Sequence, residues 1–435
     1  MDQIYGNSSL NICGAAGNNA NFGLLGTAHS PRQFVQPMAN LGGMTMSVVK
    51  PVESRIRDNH WNTRAWTFQE RILSPRSLIL VDDRVYFQCR KVTWSEEVDL
   101  ETIEYIWSLE MRESPLQAFD KIPIRQYSDY VKLYSRRNLT KASDKLIAFD
   151  GIAASLKIAL TSSMLYGLPR AYFDWAMLWD KAERGDMIED SGRAVLPTWS
   201  WCGWNGGSEW RLSMIDKTLL DLHDWLENHT WIVWHYYDEI EDLRLAWDPE
   251  SEPGANPVTR WSGYASRLRN PYGRRLDKFP EILDHGDSMT TTRPTTSPQP
   301  GLLCFWTYTT HFQLSRRSMS TASFATNVGE DLHRFGLLDC KGDWCGTIIL
   351  GDDWFRSFAA ISDARDFHME ELDAWNFYVP EERSAAEWYL YYALLLEWDA
   401  EHRVARRMGI AKIYQDAFNK FSFEPGCAWR EVALC

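Results

Sequence analysis

Along Trp61–Arg76 (WNTRAWTFQERILSPR) apolar residues recur every three to four positions, a spacing that predicts one short amphipathic helix. At about 100° per residue, Phe68, Ile72, Ala65, Gln69, Leu73 and Trp66 fall in sequence around one broad arc. Glu70 lies roughly 40° past Trp66, at the rim of that arc, while Thr67 and Arg71 occupy the far side. Pro75 pushes Ser74 out of helical backbone and ends the element. The pattern then alternates, and Ser77–Val81 and Arg84–Cys89 read as a hairpin across Asp82-Asp83. Upstream, Ser9–Ala16 (SLNICGAA) reads as a buried strand and Gly17–Gly26 as a Gly/Asn-rich loop. The stretch 27–59 has no sustained period.

From residue 115 the periodicity turns helical. Ile124–Ser135 is one candidate helix and Tyr172–Glu183 another. The strongest is Asp144–Leu160, where Leu146, Phe149, Ala153, Leu156 and Leu160 share a face after Ser143 as N-cap. These helices form a layer to pack on the first unit. After Arg193 short aromatic strands replace them: Thr198–Cys202, Thr230–Tyr237, Leu302–Thr310, Thr347–Leu350 and Trp388–Trp398. Asp284–Gly301 is rich in Thr, Pro and Ser and reads as a disordered surface insertion. A last helix is expected over Gly409–Lys420. Three regions result: 1–114 of α/β pattern, a helical connector at 115–192, and a β-rich α+β region at 193–435.

Composition narrows the function classes. A net charge of -13 disfavours nucleic acid, because phosphate binding needs clustered Lys and Arg. No uncharged apolar run approaches the roughly 18 residues of a membrane span. The first residues lack a basic stretch followed by an apolar core, so no secretory leader is expected. Eight scattered Cys fit reduced thiols in a cytoplasmic protein. The 22 Trp stand out. They serve either as stacking platforms for sugars or bases, or as filler for many small packed layers, the reading favoured here. The same choice applies to Trp199 and Trp201, which would share one side of a strand.

Familiar catalytic signatures are missing: there is no GxSxG, phosphate loop, GxGxxG or HExxH. Cys340 and Cys345 have no second pair at zinc spacing. Cys13, Cys89 or Cys202 could act as a nucleophile only beside a positioned base. Glu70 is the better candidate. It is an i,i+4 neighbour of Trp66. A carboxylate beside an indole at the rim of a buried face is partly desolvated, which raises its pKa and suits acid/base work or cation binding. The plain alternative is a surface glutamate neutralised by Arg64 or Arg76.

The same residues carry a resemblance. MDQIYGNSSLNICGAAG, NTRAWTFQERILSPRSLIL and VYFQCR resemble the second half of the fungal HET (heterokaryon incompatibility) domain. Met1, Ile4 and Tyr5 stand in its M-x-x-I-Y segment. Arg64, Ala65, Trp66, Thr67, Gln69, Glu70, Leu73, Ser74 and Arg76 fill its R-[AG]-W-T-x-Q-E-x-x-L-S-x-R block, and Cys89 ends its strand. Leu139–Ala153, Arg193–Gly207 and the YALLLEWDAEHRVARRMGIAKIY ending resemble segments that follow HET domains. The family's opening strand and its W-I-D-x-x-C-I-[DN]-Q segment have no counterpart here, so a partial HET domain is expected. The resemblance implies a flavodoxin-like α/β unit similar to the Toll/interleukin-1 receptor (TIR) domain. It also implies a role in non-self recognition and programmed cell death, and protein partners, including self-association through the HET unit. By analogy with TIR enzymes it points to Glu70, with Trp66 beside it, as the residues of an NAD glycohydrolase-like site. NAD would there be a substrate, and no bound cofactor is expected. A carbohydrate-active protein, suggested by the Trp count, is the weakest alternative.

Overall fold

The computed structural model describes residues 2–17, 20–24, 26, 31, 37–47, 52–57, 59–82, 84–89, 93–96, 122–190, 193–194, 196–211, 222, 226, 230, 232–247, 294–318, 331–351, 354 and 390–435. The chain divides into two compact units, Met1–Leu160 and Thr161–Cys435.

In the first unit a short helix α1 (Asp2–Gly6) leads into strand β1 (Asn11–Gly14). An exposed hairpin, β2 (Met38–Leu41) and β3 (Met44–Ser47), turns on Gly42 and Gly43, both at positive φ. Three helices follow: α2 (Val52–Ile56), α3 (His60–Thr63) and α4 (Ala65–Leu73). Strands β4 (Arg76–Val81), β5 (Arg84–Cys89) and β6 (Thr93–Ser95) complete a mixed sheet of order β1-β4-β5-β6. β1 runs parallel to β4, from Asn11 opposite Ser77 to Gly14 opposite Leu80. β4 and β5 form the expected hairpin, with Asp82 at φ 51° in its turn, as a tight primed turn requires.

The expected single helix over Trp61–Arg76 is two. Arg64 is extended (φ -84°, ψ 134°), and its bridge to Asn138 breaks the run. Asn138 takes a hydrogen bond from the Ala65 amide (3.0 Å) and gives one to the Thr63 carbonyl (2.6 Å). A long-range backbone contact overrides local propensity here. The helix is also buried almost all round. Phe68 packs on Tyr130 and Tyr134 of α5 (Pro123–Ser135), and Tyr134 packs on Phe149 of α6 (Ile147–Leu160). Thr67 and Arg71, assigned by periodicity to the far side, are buried too. Thr67 Oγ1 donates to the carbonyls of Trp61 (2.6 Å) and Arg64 (2.8 Å). Arg71 pairs with Glu53 of α2 and donates to Gln88 of β5, which in turn donates to Glu53 and Thr93. On β5 Arg84, Tyr86 and Gln88 are buried while Val85, Phe87 and Cys89 are only half-buried; this polar network holds Gln88 inward, and Tyr86 Oη accepts from Arg55 of α2 (2.6 Å). α6 starts later than expected: Ser143 lies inside a 3-10 turn over Ala142–Lys145.

The second unit opens with β7 (Met164–Leu165), β8 (Leu168–Pro169) and a single helical turn α7 (Phe173–Ala176). Two-residue strands follow: β9 (Asp180–Lys181), β10 (Glu189–Asp190), β11 (Arg193–Ala194) and β12 (Ser208–Glu209). β9 pairs with β12 and β10 with β11. The main body is a nine-stranded sheet. Its strands are β13 (His235–Tyr237), β14 (Leu243–Leu245), β15 (Leu303–His311), β16 (Gln313–Ser318), β17 (Leu332–Leu338), β18 (Trp344–Gly351), β19 (Leu390–Trp398), β20 (Ala405–Tyr414) and β21 (Phe423–Leu434). Helix α8 (Gln415–Lys420) interrupts the last two. One edge of β20 follows β19 along its length; the other is divided between β18, near Ala411, and β21, at Ala405. Among the described residues no helix is long and apolar enough to cross a membrane.

Several expectations change in this unit. The helix expected over Tyr172–Glu183 ends at Ala176, because Asp180 and Lys181 ladder with Glu209 and Ser208. Thr198–Cys202 is a turn running into a 3-10 segment over Trp201–Gly203, capped by Ser200. Its two indoles are both buried, so they are core and not a platform. Gly409–Tyr414 is strand, since Ile410, Ala411 and Ile413 are buried in the sheet. Thr230–Tyr237 is strand only from His235, with residue 231 outside the described residues. Of the Trp388–Trp398 and Asp284–Gly301 segments, residues 388–389 and 284–293 lie outside them. Residues 294–301 are held in place, as shown below. Trp175, Trp179, Trp199, Trp201, Trp204, Trp234 and Trp247 are all buried, which is the filler role.

A buried charge sits in this core. Asp180 is pushed up to about 6 by burial, against the opposing charges of Arg211 and Arg407 and the Lys181 amide. Arg407 is buried, lies 3.9 Å from the Trp179 ring centroid, and donates to the carbonyls of Trp179 and Trp199. A carboxyl whose folded pKa is raised binds its proton more tightly in the native state. Its stabilising contribution is therefore full below its unfolded pKa and lost as pH rises through about 6. Wild-type stability relative to Asp180→Asn is expected to be about 2 kcal/mol greater near pH 4.5 than near pH 7.5. Urea unfolding of both proteins at the two pH values measures the gap; an unchanged gap would refute the assignment.

Candidate functional site

Glu70 sits near the C-terminal end of α4, where Ser74 and Pro75 close the helix. Its carbonyl accepts from Ser74 Oγ (2.6 Å) and from Asn11 Nδ2 of β1 (3.1 Å), so helix end and strand are tied at this residue. Its side chain is half-buried. Burial raises its carboxyl above the usual range; the phenol of Tyr5 and the charge of Arg64 oppose this without cancelling it. Tyr5 is raised in turn, by its own burial and then by Glu70. Trp66, one turn before Glu70, is also half-buried. Thus the indole and the carboxylate picked out by the sequence both keep partial access to solvent.

Tyr5 is the partner that sequence reasoning did not assign. It belongs to the M-x-x-I-Y segment, 65 residues away along the chain, and only the packing of α1 on α4 brings it to Glu70. Arg64 is exposed and acts on Glu70 through its charge, which is part of the plain alternative.

Cys13 of β1 is buried beside the same end of α4. Burial pushes its thiol up to about 12, with Arg71 pulling down and Glu70 pushing up. A thiol in that state is not a nucleophile at neutral pH. Cys202 is likewise buried, its Sγ 3.1 Å from Ser200 Oγ and 3.4 Å from the Tyr166 carbonyl. Gln69 is buried as the helical arc required, and neither of its amide atoms has a partner among the described residues. Among those residues no group of three or more His, Cys, Asp or Glu could hold a metal. The arrangement offers one desolvated, phenol-bonded carboxylate, fit for proton transfer or for stabilising a cation.

Around this junction the surface is apolar. β1 pairs only with β4 among the described residues, and Ile4, Leu10 and Ile12 are 67%, 45% and 58% exposed. Comparison with curated proteins and with solved structures returns no match. Residues 1–70, the stretch that supplies Tyr5, Trp66 and Glu70, match the family model described as Heterokaryon incompatibility protein (HET).

Proposed function

We propose that this protein is a cytoplasmic signalling protein of fungal non-self recognition and programmed cell death, acting through protein contacts made by its HET unit. The observation that carries the reading is the apolar edge at β1, which is unpaired among the described residues. Such an edge, flanked by exposed Ile4, Leu10 and Ile12, is a surface for strand pairing with another chain. Self-association is the simplest use of such an edge. A TIR-like architecture for this unit is supported by the parallel β1–β4 pair with α2, α3 and α4 in its crossover. In this reading residues 1–114 transmit the signal, 115–192 connect, and the β-rich region 193–435 senses the partner.

Expression in a filamentous fungus is expected to arrest growth, and the purified chain to sediment as an oligomer. Ile12→Glu is expected to relieve the arrest and shift the chain towards monomer, because a charge in a desolvated interface costs several kcal/mol. A chain that stays monomeric at all concentrations would end this reading.

A second reading is favoured by one observation, the raised carboxyl of Glu70 held by Tyr5. Such a carboxylate suits a glycohydrolase acting on NAD, where it would hydrogen-bond ribose hydroxyls and stabilise an oxocarbenium-like transition state. Incubation with NAD is expected to release nicotinamide, and Glu70→Gln to lower the rate by about a hundredfold or more. Equal release by wild type and Glu70→Gln would dispose of it while leaving the interaction reading intact.

A further inference from the structure

Residues 294–301 run just before β15 and are clasped onto β21 by one side chain. The Glu431 carboxylate accepts from the amides of Thr295 (2.9 Å) and Thr296 (2.8 Å) and from both threonine hydroxyls. Burial alone would raise Glu431, but these donors hold it below the usual carboxylate range, so it is ionised at neutral pH. The Thr296 carbonyl accepts from Tyr237 Oη (2.7 Å), and on the other side the Leu302 amide donates to the Gln299 carbonyl (3.1 Å). Between these anchors Ser297 and Pro298 are exposed, and the Ser297 hydroxyl makes no hydrogen bond among the described residues. Pro298 restricts Ser297 to extended backbone, the shape in which a kinase cleft takes its substrate.

We propose that Ser297 is a phosphorylation site for a proline-directed protein kinase, and that phosphate there opens the Glu431 clasp. The Ser297 Oγ attacks the γ-phosphorus of ATP. The new Oγ–P bond forms as the bond to the β-phosphate oxygen breaks, ADP leaves, and the hydroxyl proton passes to the kinase's base. The product carries about -1.5 to -2 charges at neutral pH, one residue from the amide that holds an ionised carboxylate. Like charges repel at that range, and the phosphate also competes for the two threonine amides. The strap is released from β21, while β15 keeps its own ladder to that strand.

The test uses the full chain, a mitogen-activated proline-directed kinase and MgATP, read by mass spectrometry and by amide exchange. Phosphate is expected on Ser297 and not on Ser297→Ala. Exchange at Thr295 and Thr296 is expected to quicken by about tenfold, the net worth of a hydrogen bond. Glu431→Gln, which weakens the clasp without phosphate, is expected to quicken the same two amides and to leave Ser297 phosphorylation intact. Absence of phosphate on Ser297 in the folded chain overturns the site. Phosphate there with unchanged exchange at Thr295 and Thr296 overturns its effect.

Discussion

Arg71→Ala is expected to lower the stability of the first unit by about 3–5 kcal/mol, enough to unfold it under ordinary conditions. The guanidinium is buried between α2, α4 and β5, pairing with Glu53 and donating twice to the side-chain Oε1 of Gln88. Removing it takes the ion-pair partner from nearly buried Glu53 and two donors from the fully buried Gln88 side-chain oxygen. The loss comes from those weakened groups more than from the ion pair itself. Adding Glu53→Gln to Arg71→Ala should therefore recover part of the stability, since it removes a largely buried charge whose ion-pair partner is gone. Hydrogen exchange at the α4 amides, followed in urea, measures both variants. A single-variant loss below about 1 kcal/mol would mean that water screens the pair and that the network is peripheral.

Trp199→Ala should cost the second unit a similar amount, about 3–5 kcal/mol. The indole is fully buried, meets Tyr166 edge-on at 5.4 Å and Phe173 at 6.0 Å, and donates from Nε1 to the Gly301 carbonyl at 3.1 Å. Gly301 has φ 81°, and a Cβ there would stand 2.9 Å from the Tyr166 hydroxyl, so the turn entering β15 has little room to close over a cavity. Trp199→Phe keeps most of the ring packing and loses the hydrogen bond, so about 1–2 kcal/mol is expected. Thermal unfolding followed by near-ultraviolet circular dichroism ranks the three proteins. If Trp199→Ala and Trp199→Phe melt together, cavity formation is not the main term.

Local pattern was legible where local forces decide the outcome. The hairpin Arg76–Cys89, the helix Pro123–Ser135 and the long strands β15 and β18 all stand near the positions their periodicity gives. The split at Arg64 was not legible, because its cause is a backbone bridge to Asn138. Nor was the burial of Arg71. A helical wheel has one buried arc, whereas α4 is enclosed by the network to Glu53 and Gln88 on one side and by Tyr130 and Tyr134 on another. Short two-residue ladders such as β9–β12 fall below the length at which alternation can register, so the Tyr172–Glu183 helix was overextended.

For the candidate site, spacing alone put Trp66 and Glu70 one turn apart on α4, and the M-x-x-I-Y and R-A-W-T-x-Q-E segments carried the resemblance to the family whose model residues 1–70 match. Side-chain identity and the 3.6-residue repeat are properties of the chain itself, so both could be read directly. Only the folded molecule joined Tyr5 to Glu70, closed Glu431 over Thr295 and Thr296, and brought the charges of Arg211 and Arg407 to bear on Asp180. Each of those contacts links residues far apart in sequence through burial and charge. Desolvation depends on everything that surrounds a group, which no stretch of neighbouring residues encodes.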